Sequence, residues 1–200
     1  MDIDKHQIAE VTEGNNTYFT AQCYRLNTAP ALGSLVKTVK DDNSGIYGVV
    51  YLVETQGREP GRRIFARGEK LENEDAIYKE NPQLEKLLIT EFQVLVLGYA
   101  EEGHIYHFLP PQPAPVHSFV YVCDDKMADF TSSLGCLGLL AEAKIPVSVD
   151  EIMAAFLRRA SKYHEEPGEF LVKAGRELVR IYGGDIRRVN SMLKRLAYAD

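Results

Sequence analysis

Residues 46–53 read Ile-Tyr-Gly-Val-Val-Tyr-Leu-Val, seven apolar side chains interrupted by one glycine. β-Branched and tyrosine side chains dominate the run, a composition suited to a pleated strand. Successive strand residues point to opposite faces, so Ile46, Val50 and Leu52 share one face and Tyr47, Val49, Tyr51 and Val53 the other. Both faces are apolar. A surface strand would alternate with polar residues, so this one is expected at the centre of a small β domain with both faces covered. Leu35 to Val39 reads as its partner. Asp41-Asp42-Asn43-Ser44-Gly45 reads as the turn between them, because these residues bond their own backbone or accept positive φ.

The surrounding sequence extends the same pattern. Gln7 to Val11 reads as a short strand closed by a turn at Gly14-Asn15-Asn16. Tyr18 to Leu26 alternates, with Phe19, Ala21 and Cys23 on its inward face. Phe92 to Gly98 and His104 to Leu109 flank Ala100-Glu101-Glu102-Gly103 as a second hairpin. About six strands are therefore expected in the first 110 residues, enough for a small closed antiparallel barrel that leaves no free edge. Between them lie a basic loop, Gly57 to Arg67, and an acidic stretch, Glu69 to Leu88, which is expected to form two helical pieces separated by Pro82.

Pro110-Pro111-Gln112-Pro113-Ala114-Pro115 suits neither a helix nor a central strand and marks a boundary. Phe119 to Val122 is a candidate last strand that returns to the sheet. Beyond it the apolar period becomes helical. Asp125 to Ala143 has a weak helical pattern. Ser148 with Glu151 reads as a capping box ahead of the stripe Val149, Ile152, Met153, Phe156, Leu157, Ala160 and Tyr163. Pro167 opens a second helix, with Gly175 as the expected point of a close helix crossing. Gly183-Gly184 ends that helix, and Asp185 caps a third, whose expected core stripe is Ile186, Val189, Leu193 and Leu196. The expected architecture is α+β: a barrel over residues 1–110 with a helical insertion near 69–89, followed by a helical bundle over 116–200.

Charge divides along the same line. The net charge is -6, yet residues 148–200 hold ten basic and eight acidic residues, while the preceding 147 hold 13 and 21. Such asymmetry suggests two modules. An acidic chain does not favour nucleic acid or an anionic membrane as default partners. No secretory signal is recognisable, and no run reaches the roughly 20 apolar residues that span a bilayer. Cys23, Cys123 and Cys136 are odd in number and lack C-x-x-C spacing, which fits a reduced, cytoplasmic protein. Asn15-Asn16-Thr17 matches a glycosylation sequon but reads more simply as a turn.

Four groups of residues carry candidate chemistry. Arg58, Arg62, Arg63 and Arg67 sit in one loop and suit bidentate contacts to carboxylates of a protein partner or to phosphate. The plainer account pairs them with Glu69, Glu72, Glu74, Asp75 and Glu80 directly downstream. Arg187, Arg188, Lys194 and Arg195 on the last helix form a candidate nucleic-acid patch, although no aromatic residues are interleaved with them. A solvated helix face is the plainer account. His117 and Cys123 are the residue types of a nucleophile and its base, with no supporting motif. His104 and His107 lie three apart and would point to opposite strand faces, so they and His117 are not expected to hold a metal. Asp41-x-Asn43-x-Gly45 begins like a calcium loop, but Gly45 and Leu52 occupy ligand positions. The 200 residues contain no phosphate-binding P-loop, no nucleophile elbow, no H-E-x-x-H and no dinucleotide-binding glycine pattern. A non-enzyme without cofactor is expected.

In the first hundred residues, Ile8-Ala9-Glu10-Val11, Tyr18-Phe19-Thr20-Ala21, Gly33-Ser34-Leu35-Val36 and Ile46-Tyr47-Gly48-Val49-Val50 occur in an order that resembles the HAS-barrel (HerA–ATP synthase barrel) family. In that family the module precedes a ring-forming ATPase and is associated with ring assembly or partner contacts. The resemblance covers about half the chain and implies a barrel working beside an oligomeric ATPase, or within an oligomer. It carries over no catalytic residue, because a helical region stands here in place of an ATPase domain. The expected function is a non-catalytic interaction or assembly module that uses the Arg58–Arg67 loop. The alternatives are a nucleic-acid accessory factor and, more weakly, a small enzyme using His117 and Cys123.

Overall fold

The computed structural model describes residues 7–39, 44–59 and 63–197. The Asp41–Asn43 part of the expected turn and Arg62 lie outside them. Seven strands form one antiparallel sheet: β1 (Ala9–Gly14), β2 (Tyr18–Cys23), β3 (Leu35–Thr38), β4 (Gly45–Gly57), β5 (Leu88–Glu101), β6 (His104–Tyr106) and β7 (Phe119–Val122). Six of them close in the order β2-β1-β7-β3-β4-β5, and β5 pairs back onto β2, Phe19 opposite Val94. The sixth barrel strand is β7, inserted between β1 and β3, while β6 only extends the β5 hairpin outside the ring. The Pro110–Pro115 segment therefore carries the chain from that hairpin back to the gap that completes the barrel.

Local chemistry sets the turns. Asn15 accepts hydrogen bonds from the Thr17 and Tyr18 amides at 2.8 and 3.2 Å, making the sequon a side-chain-closed turn between β1 and β2. In β4 the two apolar faces have separate destinations. Ile46 and Val50 enter the barrel interior with Phe19, Val36, Phe92 and Val94. Tyr47, Val49 and Tyr51 face outward into a second core, shared with Leu35 and Leu97 and with the helices. The pairing of β4 with β5 shifts register between Val50 and Leu52. A bulge of this kind inserts one extra residue and reverses the facing of the strand beyond it. Leu52 accordingly packs on the outer core rather than inside with Val50.

Among the described residues there are seven α-helices. The acidic stretch forms α1 (Glu74–Glu80), capped by Asn73, and the short α2 (Leu84–Leu87). After β7, a 3-10 turn leads into α3 (Met127–Thr131) and α4 (Cys136–Ala141), and then α5 (Val149–Ser161), α6 (Pro167–Tyr182) and α7 (Ile186–Leu196). Phe130, Leu137, Leu140, Met153 and Phe156 lie fully buried against the outer faces of β3, β4 and β5. The helical region thus supplies one wall of the core on which the barrel rests. No helix among the described residues is long and apolar enough to cross a membrane.

Helix α7 is held by charge as well as by packing. Asp185 caps it, accepting from the Arg188 amide at 3.0 Å. Arg188 meets Asp150 through Nε at 2.9 Å and Nη2 at 2.7 Å and lies over the Tyr182 ring. Arg195 pairs with Glu151. Ser148 makes no side-chain cap bond, so the expected capping box does not form: the Glu151 carboxylate goes to Arg195 instead. Both acids still sit in the first turn of α5, where the helix dipole favours negative charge. Gly175 marks the crossing of α6 and α7, since a Cβ there would lie 3.0 Å from Leu193 Cδ2.

Candidate functional site

Strands β4 and β5 are the longest in the molecule, and they run on together past their neighbours. The pairs Glu54–Glu91, Thr55–Thr90, Gln56–Ile89 and Gly57–Leu88 continue the ladder to its outer end. Thr55 and Thr90 hydroxyls lie 2.9 Å apart, and Gln56 donates to Glu91 at 3.0 Å, so polar side chains sustain pairing where no core lies beneath. Beyond the tip of this arm, described residues 58–59 and 63–73 are without helix or strand. Arg58, Arg63 and Arg67 are all exposed there. Between them Ile64 is 57% and Phe65 71% exposed, the latter among the most exposed large apolar side chains described.

The expected local ion pairs are not formed by these three arginines. Among the described residues none of them pairs with Glu69, Glu72, Glu74, Asp75 or Glu80; Arg67 donates to the Asn81 side chain at 3.1 Å. Helix α1 accounts for two of these acids, Glu74 and Asp75. Asn73 accepts from the Ala76 amide at 3.0 Å and starts a helix whose first-turn acids serve its own positive end. The arm tip therefore presents guanidinium groups and a bare aromatic ring side by side.

The last-helix cluster divides differently. Arg188 and Arg195 are taken up by Asp150 and Glu151, leaving Arg187 and Lys194 exposed. Of the four residues weighed for nucleic acid, two are thus neutralised within the fold.

His117 and Cys123 lie beyond opposite ends of β7, whose four residues span roughly 13 Å. His117 is an exposed partner of Glu10, with φ of 70°, whereas Cys123 is buried among the outer-core residues. The fold does not bring them together. The other two thiols are equally inward: burial pushes Cys23 up to about 11 and Cys136 up to about 12. Among the described residues no group of three or more His, Cys, Asp or Glu could hold a metal ion. A cleft of about 470 Å³ opens beside the barrel between Tyr99, Ile46 and Pro110–Pro113, with Glu101 and Glu102 at its rim.

Two histidines without a role in the expected chemistry clamp α3. His107 rests edge-on against Phe130 at 4.8 Å, and its Nδ1 lies 3.0 Å from Ser133 Oγ. His164 stacks on Phe170 at 3.9 Å and meets the Thr131 hydroxyl at 2.9 Å. Burial lowers both, and Lys173 adds to the effect at His164. A folded-state value below the unfolded one means the folded chain binds fewer protons. Stability from these sites is complete above the ordinary histidine value and is lost as pH falls through it. The melting temperature is therefore expected to decline between about pH 7.5 and 5, and less steeply in the His107→Gln/His164→Gln variant. Equal slopes for the two proteins would contradict this assignment.

No protein-family model matches the chain, and no curated protein sequence matches it.

Proposed function

We propose that this chain is a non-catalytic protein-interaction module that docks a partner through the tip of its β4–β5 arm. One observation carries the reading: Arg58 and Arg63 lack ion-pair partners among the described residues, while Ile64 and Phe65 stand exposed between Arg63 and Arg67. Arginine and aromatic side chains together are the residue types that dominate binding energy at protein interfaces. A guanidinium cluster selects carboxylates, so the complementary surface is an acidic patch with a pocket for an aromatic ring. The order of segments that resembles the HAS-barrel family supports a ring-forming ATPase as the class of partner. The irregular backbone of residues 63–68 also suits a loop that settles onto another molecule.

Affinity purification of the tagged chain from lysate of its native cells is expected to recover one partner in stoichiometric amount. Arg63→Glu/Phe65→Ser should abolish recovery without changing the melting temperature, because both side chains are exposed. The reading fails if no partner is retained, or if the double variant retains it equally well.

A further inference from the structure

The outer face of the α6–α7 pair carries an apolar surface on the part of the molecule remote in sequence from the arm. Val172 and Val179, 57% and 48% exposed, lie seven residues apart on α6, and Gly175 falls between them on the same face. Ile186 and Leu193, 71% and 38% exposed, repeat that spacing on α7. The contact between Gly175 and Leu193 places the two rows side by side. Four exposed aliphatic side chains on adjacent helices thus make up an apolar strip, the kind of feature that marks an interaction site when it is not covered.

The charge on the two helices is mostly positive, although Glu169 stands exposed one turn before Val172 and Asp185 precedes Ile186. Helices α6 and α7 carry seven cations and only two acids, Glu169 and Glu177. Glu177 is bound to Arg180. Lys173 donates to the Ser132 carbonyl, and Arg188 and Arg195 are held by Asp150 and Glu151. Arg176, Arg187 and Lys194 remain, exposed and without ion pairs among the described residues. Each lies within four positions of the strip: Arg176 between Val172 and Val179, Arg187 next to Ile186, and Lys194 next to Leu193.

We infer that the α6–α7 face docks an amphipathic helix of another protein, its apolar side on Val172, Val179, Ile186 and Leu193 and its flanks acidic toward Arg176, Arg187 and Lys194. Two rows of aliphatic anchors at helical spacing match the i, i+3/i+4, i+7 repeat of such a ligand. Charge complementarity selects acidic flanks and disfavours a second copy of this chain. Two-fold pairing of this face would bring a surface with an excess of cations against its own copy, and the exposed apolar residues of the arm are also bordered by arginines. An apolar centre without aromatic rings equally disfavours nucleic acid. This surface is separate from the arm, so the two readings stand or fall independently.

The test is selection of a displayed helical peptide library against the full chain, with apolar residues fixed at i, i+3, i+4 and i+7 and the flanking positions randomised. Peptides enriched in Asp and Glu at the flanks are expected. Their binding, read by fluorescence anisotropy, should weaken about tenfold or more on Ile186→Glu. It should weaken severalfold on Arg187→Glu/Lys194→Glu, whose exposed side chains leave the fold intact, and be unaffected by Arg63→Glu/Phe65→Ser. Enrichment of neutral or basic flanks, no enrichment, or binding indifferent to Ile186→Glu overturns the inference. So does sedimentation showing self-association lost on Ile186→Glu, or pelleting with phosphatidylserine-containing vesicles through this face.

Discussion

Gly33→Ala is expected to destabilise the chain by on the order of 3–5 kcal/mol, a fall in melting temperature of roughly 6–20 °C for a chain this size. Gly33 has φ of 80°, a left-handed conformation that costs an L side chain energy whatever the space around it. There is no space either. A Cβ there would lie 2.7 Å from the Ala155 carbonyl carbon and 2.8 Å from the Phe156 nitrogen, both backbone atoms of α5. The loop cannot retreat, because the Gly33 amide donates to the Val50 carbonyl at 2.9 Å and the Val50 amide to the Ser34 carbonyl at 3.0 Å. Relief requires α5 to move, and α5 carries Met153 and Phe156 into the core. Gly184→Ala is the control: nothing lies within 4 Å of its added methyl, so its effect should stay within about 0.5 kcal/mol. Equal melting of the Gly33→Ala and wild-type proteins would show that α5 does not rest on this loop.

Phe130→Ala should cost about 4 kcal/mol and lower one shared unfolding transition rather than split it in two. Phe130 is fully buried on α3, stacks on Tyr47 of β4 at 5.1 Å and takes the edge of His107 at 4.8 Å. Its removal leaves a cavity where three segments meet. Tyr47 is buried as well, which pushes its hydroxyl up to about 12. Because the outer core joins barrel strands to helices, near-ultraviolet tyrosine signals and far-ultraviolet helix signals should melt together in both proteins. Separate midpoints, or a loss below about 1 kcal/mol, would mean that barrel and helices fold as independent units.

Much of this fold is legible locally. The doubly apolar run at 46–53 is covered on both faces from Ile46 to Tyr51, while Val53 at its end is exposed, and the inward alternation of Phe19, Ala21 and Cys23 holds in β2. The 3.6-residue stripes of α5 and α6, the Asp185 cap and the Gly175 crossing read directly from spacing, whereas half of the α7 stripe does not hold: Ile186 and Leu193 stand exposed, and Met192 joins Val189 and Leu196 in the core. The arm is less legible. Glu54-Thr55-Gln56-Gly57 is polar and resembles a loop, yet backbone pairing with residues 88–91 continues the strand without any core. Of the candidate site residues, Arg58, Arg63 and Arg67 share one exposed segment as their proximity in sequence implied. Nothing in sequence signalled that Ile64 and Phe65 would be left bare beside them.

Apolar period and turn chemistry act over a few residues, which is why the chain alone determined that strands precede helices and where most elements begin. Closure, facing and charge balance are settled between distant residues, and only the tertiary structure decided them. A four-residue strand behind the prolines could pair in several places until β1 and β3 left a gap for β7. One bulge sends Leu52 to the opposite face from Val50. Asp150 and Glu151 neutralise Arg188 and Arg195 from another helix, so which cations remain to meet a partner depends on packing rather than on the order of residues.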